Sequence, residues 1–95
     1  MQAIEAQRDA YGRRVLAIGS WVRELGRQIA RLDLSVEIDA EVLAFIRTSH
    51  TVTIRGAGGE QAVLLTKEEF WNEYQLFERS AAPRLRAAVE RMCAE

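Results

Sequence analysis

The stretch TVTIRGAGGEQAVLLTKEEF, Thr51 to Phe70, decides the fold. Its first five residues are rich in β-branched side chains and alternate apolar with polar, as a half-buried strand does. Gly56-Ala57-Gly58-Gly59-Glu60 follows as a loop, and Gln61-Ala62-Val63-Leu64-Leu65 reads as the return strand, so the two runs form a β-hairpin. Thr66 then fits a helix N-cap, and Glu69, three residues on, completes a capping box in which each side chain satisfies the other's free backbone N–H. Leu65 before the cap and Phe70 after it supply the matching hydrophobic staple. A glycine-rich loop can also cradle phosphate, but only with a helix N-terminus directly behind it; here a strand follows.

Beyond the hairpin, Phe70, Trp71, Tyr74 and Phe77 recur at helical spacing. Four aromatics within eight residues exceed what two strands can cover. One reading is ordinary core packing; the other puts part of the set against a second chain, where Trp and Tyr are frequent anchors. The helix is expected to end near Ser80, because Pro83 lacks a backbone donor and clashes in a helix interior. Pro83 fits the first turn of a last helix, which places Leu85, Val89 and Met92 on one face.

Before the hairpin, Leu34-Ser35-Val36-Glu37-Ile38 alternates as a strand, and Asp39 fits the N-cap of a helix running to Arg47 and burying Val42, Leu43, Phe45 and Ile46. Thr48-Ser49-His50 closes it. Residues 3–32 read as one long helix. Tyr11, Val15, Ile18, Val22, Leu25, Ile29 and Leu32 are spaced 4, 3, 4, 3, 4 and 3 apart, the repeat of a coiled-coil seam. Ile4 falls on the same frame, and Arg8 is its one polar position. Gly12, Gly19 and Gly26 each follow a seam residue, seven apart. An interior helical glycine costs about 0.8–1 kcal/mol relative to alanine, so the stripe suggests close approach by another backbone. A loosely packed helix, or a break at Gly19-Ser20, are the alternatives. On this reading Val15, Ile18, Gly19, Val22, Leu25, Gly26 and Ile29 form a homodimer face, broadened by Trp21.

The sum is an α+β chain: a long N-terminal helix, then strand, helix, β-hairpin, helix and helix around a small antiparallel sheet. Residues 1–33 form an amphipathic arm and residues 34–95 the domain.

Composition narrows the function classes. Thirteen basic against fourteen acidic residues give a net charge of −1, which argues against indiscriminate nucleic-acid binding. A single cysteine excludes an intrachain disulfide and fits a reducing cytoplasm. No secretory leader is evident, and no apolar run approaches the roughly 20 residues that span a bilayer. His50 and Cys93, the only histidine and cysteine, make a poor catalytic dyad and too few soft ligands for a metal site. Acidic neighbours such as Glu68-Glu69 and Glu37/Asp39 are accounted for by capping. No catalytic, cofactor-binding or metal-binding residue is therefore expected. Arg47, Thr48, Ser49, His50 and Arg55 are compatible with a DNA-backbone patch or with a solvated face.

Residues 34–95 resemble the Phd/YefM family of antitoxins. That family's hairpin reads like VVITRxGxPVAVLLSxEEY, beside TVTIRGAGGEQAVLLTKEEF here, and SAAPRLRAAVERM, Ser80 to Met92, is similar to the adPelraaleeg endings common there. The resemblance leaves the N-terminal helix outside it. It implies a cytoplasmic member of a toxin–antitoxin system that dimerises, binds operator DNA to repress transcription, and neutralises a cognate toxin through its C-terminal helices. On matching positions, Arg55 falls on the family's hairpin arginine, near which DNA contacts lie, and Phe70 on its aromatic after the acidic pair. The implied toxin contact is the face formed by Phe70, Trp71, Tyr74, Phe77, Leu85, Val89 and Met92. A dimeric scaffold or adaptor without DNA or toxin, assembled through the heptad helix, is the alternative. A small enzyme using His50 or Cys93 is the third.

Overall fold

The computed structural model describes the backbone of residues 2–31, 33–39, 48–57 and 59–93, and the side chains of these except 2–4, 30 and 93. The expected helix after Asp39, with Arg47, lies outside the described residues, as do Leu32 and the side chains of Ile4 and Cys93.

The first helix, α1, spans Gln2–Ala30 without a break at Gly19-Ser20. At 1.5 Å per residue its 29 residues set the 48 Å long dimension of the molecule. Three strands follow, β1 (Ser35–Ile38), β2 (Ser49–Gly56) and β3 (Gly59–Thr66), in one antiparallel sheet of order β1-β2-β3. Val36 pairs with Ile54, and Val52 with Val63. The hairpin is tighter than its sequence suggested, with pairing that reaches Gly56 and Gly59. Gly59, at φ +130°, holds a conformation that a side chain resists. A Cβ on Gly56 would meet Leu34 Cδ2 at 2.9 Å, so the glycine lets the hairpin end pass under Leu34 and Met92.

The sheet is two-sided, as alternation dictates. Ile38, His50, Val52, Ile54, Val63 and Leu65 are buried, whereas Ser35, Glu37, Thr51, Arg55, Ala62 and Leu64 are exposed. The buried face is covered by α1 and by the last helix, α3 (Ala82–Cys93). One core joins Ile18, Val22 and Leu25 of α1 to Ile54 and Leu65 of the sheet and to Leu85 and Val89 of α3. The N-terminal helix is thus a layer of the domain rather than a separate arm, although Glu5 to Asp9 are exposed. Burying each such aliphatic side chain contributes about 1.5–3 kcal/mol.

The capping box forms as expected. Thr66 Oγ1 accepts from the Glu69 N–H at 3.1 Å, and Glu69 Oε1 accepts from the Thr66 N–H at 2.9 Å. The helix behind it, α2 (Lys67–Phe70), lasts a single turn, and the helix predicted to reach Ser80 is broken. Asn72, Tyr74 and Gln75 all adopt left-handed backbone, with φ of 58°, 54° and 59°. Asn72 Oδ1 accepts from the Phe77 N–H at 3.0 Å and so restarts the chain. A π-type turn over Phe77–Ala81 then runs into α3, with Ala82 N–H bonded to the Phe77 carbonyl five residues back. Pro83 therefore sits one residue inside α3, as the first-turn reading required, and the widened turn ahead of it accommodates the donor that proline lacks.

Glu69 fastens this junction. Besides the cap, it accepts from the Ser80 hydroxyl and from Arg84, whose Nη1 and Nη2 lie 2.6 and 2.8 Å from its two oxygens. The guanidinium holds the Glu69 carboxyl far below the usual range, at about 2, against the opposing effect of burial. Arg84 Nη2 also donates to the Leu64 carbonyl at 2.9 Å, occupying an edge group of β3 that a foreign strand would otherwise pair with.

Candidate functional site

The unusual chemistry of the chain gathers where the middle of α1 crosses residues 69–78. Tyr11, one helical turn before Arg14, donates its hydroxyl to Asp39 Oδ2 at 2.8 Å. The same oxygen lies 2.7 Å from His50 Nδ1, and Asp39 Oδ1 accepts from the Thr51 N–H at 2.9 Å. Asp39 was expected to cap a helix. The residues of that helix lie outside the described ones; what the structure gives Asp39 is a φ of 52° and a carboxylate that clasps α1, β1 and β2 together. Burial, then the bond to Asp39, raises the Tyr11 hydroxyl pKa well above the ordinary tyrosine value.

His50 is fully buried and stacks on Phe70, with ring centroids 4.0 Å apart and planes at 22°. Its Nε2 is buried without a hydrogen-bond partner. That placement corrects its reading as a DNA-backbone contact, because an imidazole at 0% exposure cannot reach a phosphate. Arg55 is exposed, but its Nε donates to Glu60 at 2.7 Å and its Nη1 to Glu37 at 3.1 Å. Two carboxylates flank this arginine and offset its own positive field. Thr48 is exposed, and Arg47 lies outside the described residues.

The aromatic set divides. Phe70 and Phe77 are buried, Trp71 is half-buried edge-on to Phe70, and Tyr74 is 82% exposed. Leu85, Val89 and Met92 are buried in the chain's own core, which corrects their reading as an open partner-binding face. The seam residues of α1 are likewise occupied within the chain. Ile18, Val22 and Leu25 are buried, and Val15 and Ile29 pack against the same core. Their heptad spacing is satisfied by the sheet and α3, with no second helix needed. A Cβ on Gly12 would meet nothing within 4 Å, and one on Gly19 the Arg23 guanidinium, so the chain's own backbone does not approach the glycine stripe at these positions. Gly26 is buried.

Between α1 and the broken helix lies a cavity of about 220 Å³ lined by Arg14, Ala17, Trp21, Asn72, Phe77 and Glu78, with Ile18 at its base. Sequence reasoning missed Arg14. It sits on a helix flank among twelve arginines, and nothing in its spacing sets it apart. Its Nε donates to the Phe70 carbonyl at 2.8 Å, its guanidinium lies 5.4 Å from the Phe77 ring centroid, and its Nη2 is buried without a partner. Burial lowers its pKa from the ordinary arginine value. Trp21 meets Phe77 edge-on, 5.6 Å between centroids. Asn72 uses its side-chain oxygen on the Phe77 N–H, which leaves its amide nitrogen as a donor on the wall.

Among the described residues no cluster of histidine, cysteine and carboxylate side chains could hold a metal ion. No described helix is long and apolar enough to cross a membrane. No protein-family model, curated protein or solved structure matches the chain.

Proposed function

We propose that this chain is a non-catalytic protein-interaction module that docks its partner on the rim between α1 and residues 71–78. The observation that carries the reading is Tyr74. An 82% exposed aromatic is held out on left-handed backbone, which costs a residue other than glycine about 1 kcal/mol or more. Such strain persists where a position is shaped for use rather than stability, and exposed tyrosine beside buried aromatics is a typical interface anchor. Trp71 and Phe77, also read from the sequence as partner-facing, border the same rim.

The resemblance of residues 34–95 to antitoxins points to the nature of the partner: a toxin whose gene adjoins this one, neutralised by contact in the cytoplasm. Homodimerisation and operator binding belong to the same proposal with less support, because the α1 seam is filled from within and Arg55 sits between two acids. A scaffold role through α1 would need a face other than the seam; Leu16, 67% exposed, is the apolar residue available there.

Co-expression with the adjacent gene product tests the reading. A toxic neighbour that is neutralised and co-purifies, and is released by Tyr74→Ser in a variant that melts like the parent, supports it. Neighbours that are neither toxic nor bound refute it.

A further inference from the structure

We infer that the cavity between α1 and residues 72–78 is a receptor for a carboxylate carried on an apolar group, supplied by the docking partner. This deepens the reading above by naming the chemistry of the partner's anchor.

The argument starts from Arg14. Its Nε is satisfied by the Phe70 carbonyl, but its Nη2 is buried and bonded to nothing. An unpaired N–H on a buried cation is costly, far more so than a neutral one. Among the described residues no carboxylate is bonded to it. Glu78, the acid on the cavity wall, is exposed and does not reach it. Two other arginines of the chain do have acids: Arg84 has Glu69, and Arg55 has Glu37 and Glu60. Arg14 has no such acid among the described residues, and it lines a cavity.

The other walls define the rest of the ligand. Trp21 and Phe77 offer ring surface, and Ala17 and Ile18 offer aliphatic surface. The Asn72 amide nitrogen adds a second donor. Donors at one end and rings along the side suit an acid on an apolar body. At about 220 Å³ the cavity takes a group the size of a large side chain, not a folded segment. Glu78 disfavours anions from the rim and so sets a handle that a purely structural Arg14 would lack.

The test uses phenylacetate as probe, with phenylacetamide as its neutral isostere and acetate as its charge without the ring. Binding is followed by amide and indole resonances of the whole chain. The expected result is saturable shifts at Arg14, Trp21 and Asn72 with phenylacetate, and affinity lower by about tenfold or more for both comparators. Arg14→Gln and Arg14→Lys should each lose affinity, Lys because it cannot keep both the Phe70 carbonyl and the ligand. Glu78→Gln should bind severalfold tighter, a gain that loss of fold cannot produce. Equal binding of acid and amide, or no shifts at these residues in a folded chain, overturns the inference. With the partner in hand, Arg14→Gln should weaken the complex and Glu78→Gln tighten it. If the complex is indifferent to both, the inference falls while the interaction reading stands. If phenylacetate binds through Arg14 but the adjacent gene product does not bind, partner supply falls and Arg14 remains a site for a free acid.

Discussion

The imidazole of His50 lies flat against the Phe70 ring, 4.0 Å between centroids, and joins the start of β2 to the one-turn helix α2. Tyr11 closes the group from α1, 5.3 Å from Phe70 and 5.9 Å from His50. Three elements far apart in sequence thus meet on one aromatic stack, with Asp39 bonded to two of its members. His50→Ala removes the stacked ring and half of the Asp39 clasp, and should destabilise the chain by about 3 kcal/mol. Urea unfolding measures it; a loss below about 1 kcal/mol would mean that the stack is incidental.

Tyr11→Phe keeps the ring and deletes one bond to a buried carboxylate, for about 1–2 kcal/mol at neutral pH. Because the fold raises the Tyr11 pKa, the stabilisation is complete below the ordinary tyrosine value of 10.0 and is lost as pH rises beyond it. The parent should therefore lose stability in alkali more steeply than Tyr11→Phe. Parallel curves for the two would count against the Asp39 bond.

Glu69 works at the other end of the scale. Its carboxyl titrates at about 2 in the fold, against an ordinary 4.5. The stabilisation is present above the ordinary value and declines as pH falls from there toward the folded one. Glu69→Gln should lower stability by about 2–4 kcal/mol near neutrality by leaving Arg84 without its acid and weakening the cap. It should also flatten the acid limb of the stability curve. Thermal melts between pH 2 and 7 read both effects, and an unchanged acid limb in the variant would contradict the assignment.

Gly12 lies inside α1 with open space where a Cβ would stand. Gly12→Ala should stabilise the chain by about 0.5–1 kcal/mol. If it instead destabilises, something not contained in one chain packs on the glycine stripe, and the dimer-face reading of α1 returns.

Tyr74→Gly relieves left-handed backbone and should not destabilise the fold, while weakening partner binding. Stability and binding moving together would mean that Tyr74 serves packing instead.

Much of the fold was legible because its signals are local. The capping box at Thr66 and Glu69 is written within four residues, and the hairpin within fifteen. The heptad spacing of α1 located its buried stripe correctly but not what covers it. A 3.5-residue repeat suits a partner helix and a twisted sheet alike over three heptads. The break after Phe70 was hidden, since Trp71, Asn72, Tyr74 and Phe77 also fit a continuous helix; it shows only in the left-handed backbone of Asn72, Tyr74 and Gln75 and in the Asn72 bond to the Phe77 N–H. The site was the least legible part. Asp39, His50 and Tyr11 are 11 and 28 residues apart and look like a cap, a turn and a seam position. Arg14 acquires meaning only when the broken helix leaves a cavity in front of it.

The most direct test of the central claim is residue-resolved mapping of the interface by NMR on titration with the adjacent gene product. Perturbations centred on Arg14, Trp21, Asn72, Tyr74 and Glu78 are the predicted result. Perturbations confined to the uncovered sheet face, at Thr51, Thr53 and Leu64, would contradict it.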